Sequence, residues 1–292
     1  MNTNSDSPII EFNHLWFYSR PTSSLAKDTD TNSAQIQGST QKKGNALSTR
    51  YQKWKSKRET DTASSEALPA NPPALISDVS GVLFSGQVTV LTGASGSGKS
   101  VLLRLLAGLL PISAGDVRLR SKAELLNPAK PNSDVYHSIH ETSYIEWRQQ
   151  VALLSQHPQL IEGSVLDNLK MPYDLQAHES QTFDIDWHTA QLVHLGKSAA
   201  FLQQNANYLS GGERQLVNTL RLLQLNPRVL LLDEPTAALD VDTSAQLVSL
   251  LIRWLQADRQ RTLLWVTHDT KDIMPLADRH WHMQAGVLTN VF

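Results

Sequence analysis

The chain has 292 residues, 40% of them hydrophobic and 18% charged, a balance that fits a globular protein and excludes a fibrous or wholly disordered one. A net charge of −2, from 26 Lys and Arg against 28 Asp and Glu, gives no whole-molecule basic face, so no specific nucleic-acid partner is expected. Cysteine is absent, which removes disulfides, thiol nucleophiles and cysteine metal sites and fits a reducing compartment.

In chain order, the opening residues lack a basic start followed by an apolar run, so a cleaved signal is not expected. Residues 9–17 read as a strand. Ser19–Pro73 is dominated by Ser, Thr, Asn, Gln and Lys and is expected to be a polar, disordered insertion, since it cannot bury enough surface to offset ordering entropy. Within it, residues 41–58 carry seven Lys and Arg interleaved with Tyr51 and Trp54, and the competing reading is a contact with anionic lipid or RNA.

Apolar segments resume at Ala74, with strands over 82–84 and 88–91, the loop GASGSGKS over 93–100, and a helix over 101–109 stopped by Pro111. That helix is about half the ~20 residues a bilayer crossing requires and carries Arg104, so no membrane span is expected. Residues 121–143 read as a polar surface loop between strands DVRLR and VALLS. A helical lobe is expected over 158–225, then buried strand RVLLLDE, a helix over 243–256 and buried strand TLLWVTH. Strands alternating with helices predict an α/β domain spanning 1–292: a mostly parallel core sheet, with an antiparallel β lobe and the helical lobe attached.

Gly93, Ala94, Ser95, Gly96, Ser97, Gly98, Lys99 and Ser100 match the phosphate-loop pattern G-x-x-x-x-G-K-[ST], with the strand before it and helix after it that the pattern requires. Glycines let backbone N–H groups turn toward phosphates, Lys99 holds the β- and γ-phosphates, and the Ser100 hydroxyl ligates magnesium. Asp233 ends an apolar strand at the edge where nucleotides bind, placing it in the magnesium shell. Glu234 follows, suited to activating a water at the γ-phosphate. ATP and Mg2+ are therefore the expected cofactors of a P-loop nucleoside triphosphatase.

Leu209 to Gln215, LSGGERQ, narrows the class. The sequence resembles ABC ATPases, whose LSGGQ-type motif stands here with Glu213 in the fifth place. Gln156 in LLSQHPQL matches the Q-loop glutamine, Asp240 in AALD the D-loop aspartate, and His268 in WVTHD the switch histidine. The resemblance implies two such domains pairing head to tail, with each ATP between the phosphate loop of one and Ser210, Gly211 and Gly212 of the other. It further implies that Gln156 joins the magnesium site to the helical lobe, and that His268 works with Glu234. A separate transmembrane permease subunit is the implied partner, with a second copy or a paralogue completing the pair on the cytoplasmic face of the membrane. The segment HPQLIEGSVLDNL is the expected coupling surface.

An aromatic residue stacks on adenine in the family, and Tyr18 is favoured for it over Phe17. The motif stretches look most like a bacterial group regarded as iron exporters. A soluble ABC ATPase acting on the ribosome or DNA is the alternative, disfavoured because the chain has one phosphate loop and one LSGG motif, about 110 residues apart, with no heptads between them. Two histidine arrangements, His137, His140 and Glu141, and His280 and His282, lack a complete metal ligand set and are expected to be exposed loop and edge strand.

Overall fold

A computed structural model describes residues 7–18, 74–121, 135–237 and 239–292. The expectations for 19–73 and for most of the 121–143 loop fall outside these residues. Two sheets organise the rest. The larger has six strands in the order β10-β9-β3-β8-β7-β6, formed by β3 (Val88–Thr92), β6 (Val151–Leu154), β7 (Val229–Asp233), β8 (Thr262–Val266), β9 (Arg279–Gln284) and β10 (Val287–Asn290). All its pairings are parallel except β9 with β10.

The reason for continuous apolar runs in these strands is visible in the packing. Leu230 and Leu232 of β7 enter one core cluster, whereas Val229 and Leu231 enter the other, so alternate side chains are buried on opposite faces. One face is covered by α1 (Lys99–Leu106) and α2 (Tyr144–Gln150). The other is covered by α3 (Val165–Lys170), α4 (Ile185–His194), α5 (Gly211–Leu223) and α6 (Val241–Gln256). In α5, the residues Leu216, Val217, Leu220 and Leu223 recur at helical spacing and are buried.

The smaller, antiparallel sheet runs β2-β1-β4-β5, from β1 (Pro8–Tyr18), β2 (Ala74–Phe84), β4 (Ala114–Arg120) and β5 (Tyr136–Ser138). Tyr18 pairs directly with Ala74, so the two ends flanking residues 19–73 are neighbours in one ladder. Trp147 of α2 is fully buried and donates its indole N–H to the Leu106 carbonyl at 2.9 Å, fixing α2 against the end of α1.

Three expectations are corrected. Helix α1 ends at Leu106, not Leu109, because the Leu109 N–H turns back to the Arg104 carbonyl ahead of Pro111. The 121–143 loop contains a short strand, β5, paired with β4 through Arg118 to Arg120. The lobe over 158–225 is less helical than expected, since 3-10 turns link α4 to α5.

Candidate functional site

Strand β3 delivers the glycine loop to the carboxyl edge of the large sheet, and α1 begins at Lys99. Gly93 has φ +144, and a Cβ there would lie 2.1 Å from the Met283 carbonyl oxygen of β9, so only glycine fits. The loop is also tied from behind: the Gly286 N–H donates to the Ser97 carbonyl and the Ser77 N–H to the Gly286 carbonyl, both at 2.9 Å. This clamp by the β9–β10 hairpin was not foreseen from the sequence. Its signal is Ala285-Gly286, both with positive φ, a two-residue hairpin turn in an alternating segment.

Lys99 is 6% exposed and its ammonium donates to the Gly93 and Ala94 carbonyls at 2.7 and 2.9 Å. Burial pulls its pKa below the ordinary lysine value, and the carboxylates of Glu234 and Asp233 work in the opposite direction. The ammonium thus sits in a partly dry niche facing two acids.

Ser95, Gly96, Gly98, Lys99, Ser100, Gln156, Asp233, Glu234 and His268 line one cavity of about 650 Å³, joined by Leu75 and Val101. Leu75 is another residue the sequence reading passed over; it belongs to β2 and brings the small sheet to the cavity rim. Asp233 closes β7 and is 8% exposed. Glu234 leaves the strand with φ 52, a left-handed conformation rare for a non-glycine residue, while its N–H stays on the Val266 carbonyl at 3.0 Å. That turn aims the side chain at His268, whose Nε2 lies 3.1 Å from Glu234 Oε1.

The remaining expected site residues lie elsewhere. Ser210 is the N-cap of α5, accepting from the Glu213 N–H at 3.2 Å, while Glu213 accepts from the Ser210 N–H at 3.0 Å, a capping box. Lys197 pairs with Glu213 at 2.8 Å and holds the box from the side. Ser210, Gly211 and Gly212 are outside the walls of the cavity, as is Asp240, which caps α6 through the Thr243 N–H. Tyr18 is also outside them; it stacks on Trp16 with ring centres 6.1 Å apart, whereas Phe17 is half-buried against the core.

Residues 76–237 match the family model described as "ABC transporter". The chain belongs to the ABC transporter ATP-binding family. It is 31% identical over 205 residues to the probable iron export ATP-binding protein FetA of Escherichia coli, covering 70% of this chain and 82% of that protein. It is 33% identical over 205 residues to the methionine import ATP-binding protein MetN 1 of Pseudomonas fluorescens, covering 70% of this chain and 57% of that one. To the sn-glycerol-3-phosphate import ATP-binding protein UgpC of Bartonella bacilliformis it is 31% identical over 218 residues, 74% of this chain and 57% of that one. As an ABC ATPase, the chain binds ATP and couples its hydrolysis to transport. No helix among the described residues is long and apolar enough to cross a membrane.

Proposed function

We propose that the chain hydrolyses ATP at a site completed by a second copy or a paralogue, and that the pair drives a separate transmembrane subunit from the cytoplasmic face of the membrane. The observation that carries this reading is the split between two sets of phosphate donors. The phosphate loop shares one cavity with Asp233, Glu234, His268 and Gln156, while Ser210, Gly211 and Gly212 stand apart at the start of α5. A helix N-terminus with a serine at its cap and unpaired N–H groups in its first turn suits a γ-phosphate presented from another subunit.

The cavity's donors fit the nucleotide and its ion. Lys99 and the loop N–H groups suit the phosphates, and the oxygens of Ser100, Asp233 and Gln156 suit magnesium, a hard cation. Magnesium would neutralise phosphate charge there. Glu234 accepts a proton from the water whose oxygen attacks the γ-phosphorus as the bond to the bridging oxygen breaks, yielding ADP and phosphate. His268 orients Glu234 through their 3.1 Å contact and reaches toward the γ-phosphate. Tyr18 offers its ring to adenine, and Asp240 meets the partner's site across the interface.

Loss of the shared γ-phosphate removes the charge joining the two copies, so hydrolysis opens the pair. The segment His157 to Leu169 is the coupling surface: it is held by Asn168, which bonds both the N–H and the carbonyl of Ile161, and by the Arg221 bond to the Gln159 carbonyl. Export of a metal such as iron is the cargo reading, supported by the likeness to FetA. The importers UgpC and MetN 1 match at similar identity, so cargo and direction belong to the transmembrane subunit.

The test is to tag the chain in its own cells, solubilise membranes gently and identify stoichiometric partners by mass spectrometry. A polytopic membrane protein is the expected partner. Ribosomal proteins or DNA in its place would overturn the coupling to a permease and leave the ATPase standing.

A further inference from the structure

Strand β9 is not at the sheet edge as expected; it lies between β10 and β3. Its parallel register sets His282 opposite Thr92, the last residue of β3, and the two-residue spacing places His280 on the same face. His280 Nε2 lies 2.8 Å and His282 Nδ1 3.2 Å from one atom, the Thr92 hydroxyl oxygen. We propose that His280 and His282, with the Thr92 hydroxyl between them, form a binding site for a borderline divalent metal ion of the zinc or nickel class, separate from the nucleotide cavity.

The chemistry of the donors selects the ion. Two imidazole nitrogens gathered around one hydroxyl oxygen suit zinc, nickel or copper and not magnesium or calcium, which take oxygen ligands. Metal binding requires neutral rings, since only a neutral imidazole keeps a lone pair for the ion. The Thr92 hydroxyl also lies 3.4 Å from the Trp281 carbonyl, so its single proton can reach only one of three neighbouring acceptors. An ion replaces this arrangement by taking a lone pair from each ring, with the hydroxyl and water completing a four-coordinate shell.

No group of three or more His, Cys, Asp or Glu among the described residues could hold a metal, so no third strong ligand assists and binding is expected to be weaker than at a four-ligand structural site. The Phe292 ring lies 5.5 Å from His280 and contributes no donor through its side chain. Occupancy would join β9 to the residue preceding Gly93, whose carbonyl holds Lys99.

The experiment titrates the nucleotide-free full chain with zinc against a chromophoric chelator, and follows imidazole nitrogens in long-range 15N–1H spectra. One equivalent should bind, His280 and His282 rings should shift together, and His282→Ala should weaken binding at least about tenfold while His137→Ala with His140→Ala leaves it unchanged. If the alanine variant does not fold, the wild-type spectra decide alone. No saturable binding, unmoved His280 and His282 rings at saturating zinc, or unaltered affinity in a folded His282→Ala chain overturns the site.

Discussion

Replacing Glu234 by Gln separates chemistry from architecture. The side chain is 12% exposed, touches His268 Nε2 at 3.1 Å, and rises from a left-handed backbone. Glutamine has the same length, meets the same backbone penalty and keeps an oxygen for the His268 contact, so stability should change by less than about 1 kcal/mol. What it loses is the ability to take a proton from water. General-base catalysis contributes about 100- to 10,000-fold, so kcat should fall by that factor, equivalent to roughly 2.7 to 5.4 kcal/mol on the barrier. ATP affinity should persist, and with hydrolysis blocked the paired state should accumulate. Phosphate release measures the first expectation, thermal melting the second, and light scattering with and without ATP the third. A kcat within about tenfold of wild type removes Glu234 from the proton-accepting role. A variant that binds ATP yet stays monomeric removes the shared site.

Lys99→Ala deletes the ammonium that bridges the Gly93 and Ala94 carbonyls, and ATP affinity should fall about 100-fold or more by fluorescent-nucleotide titration; surviving micromolar affinity would refute the phosphate placement. Because Tyr18 and Ala74 already pair in one antiparallel ladder, replacing residues 19–73 by a short turn should preserve the melting transition and keep ATPase activity within about twofold, and loss of folding would show that the segment is structural. Hydrogen bonds from Lys197 and from the Ser210 N–H hold the Glu213 carboxyl below its ordinary pKa. Its stabilising contribution is therefore complete above the unfolded carboxylate value of about 4.3 and lost as pH falls through the lowered folded value. Glu213→Gln should flatten that acid limb in melts taken across pH 3 to 6, and an unchanged slope would discount the capping box as its source.

How much could be read in advance differs by the kind of information each residue carries. The phosphate loop, Asp233, Glu234 and His268 were legible because short contiguous motifs encode local backbone shape, and the structure gathers them at one cavity. The buried strands β7 and β8 were legible because both faces are covered, which forces unbroken apolar runs. Strand β5 was hidden: Tyr136–Ser138 is only three residues long and polar, and its pairing with β4 is a tertiary choice. Pro111 suggested too late an end for α1, because the backbone turns at Gly108 before the proline acts. Leu75 and the β9–β10 clamp escaped notice for a related reason. Their roles arise from contacts with residues far along the chain: Leu75 carries no motif, and Ala285-Gly286 signals the hairpin turn but not the loop it clamps.

The capping box at Ser210 bears on how the two halves of the proposed site are linked. Ser210 Oγ accepts the Glu213 N–H and its hydroxyl donates to the Glu213 carboxylate, so the side chain is anchored at both its oxygen and its proton. Glu213 returns the bond to the Ser210 N–H, leaving the N–H groups of Gly211 and Gly212 as the unpaired donors of the first turn. The box thus fixes the start of α5, and the two glycine N–H groups are the donors it leaves outward. The carboxylate at position 213 does not cancel the positive end of the helix for an incoming phosphate, because Lys197 neutralises it at 2.8 Å. A glutamine in that place would cap α5 without needing a cation, so in the proposed pair Glu213 would make Lys197 part of the surface facing the partner's ATP.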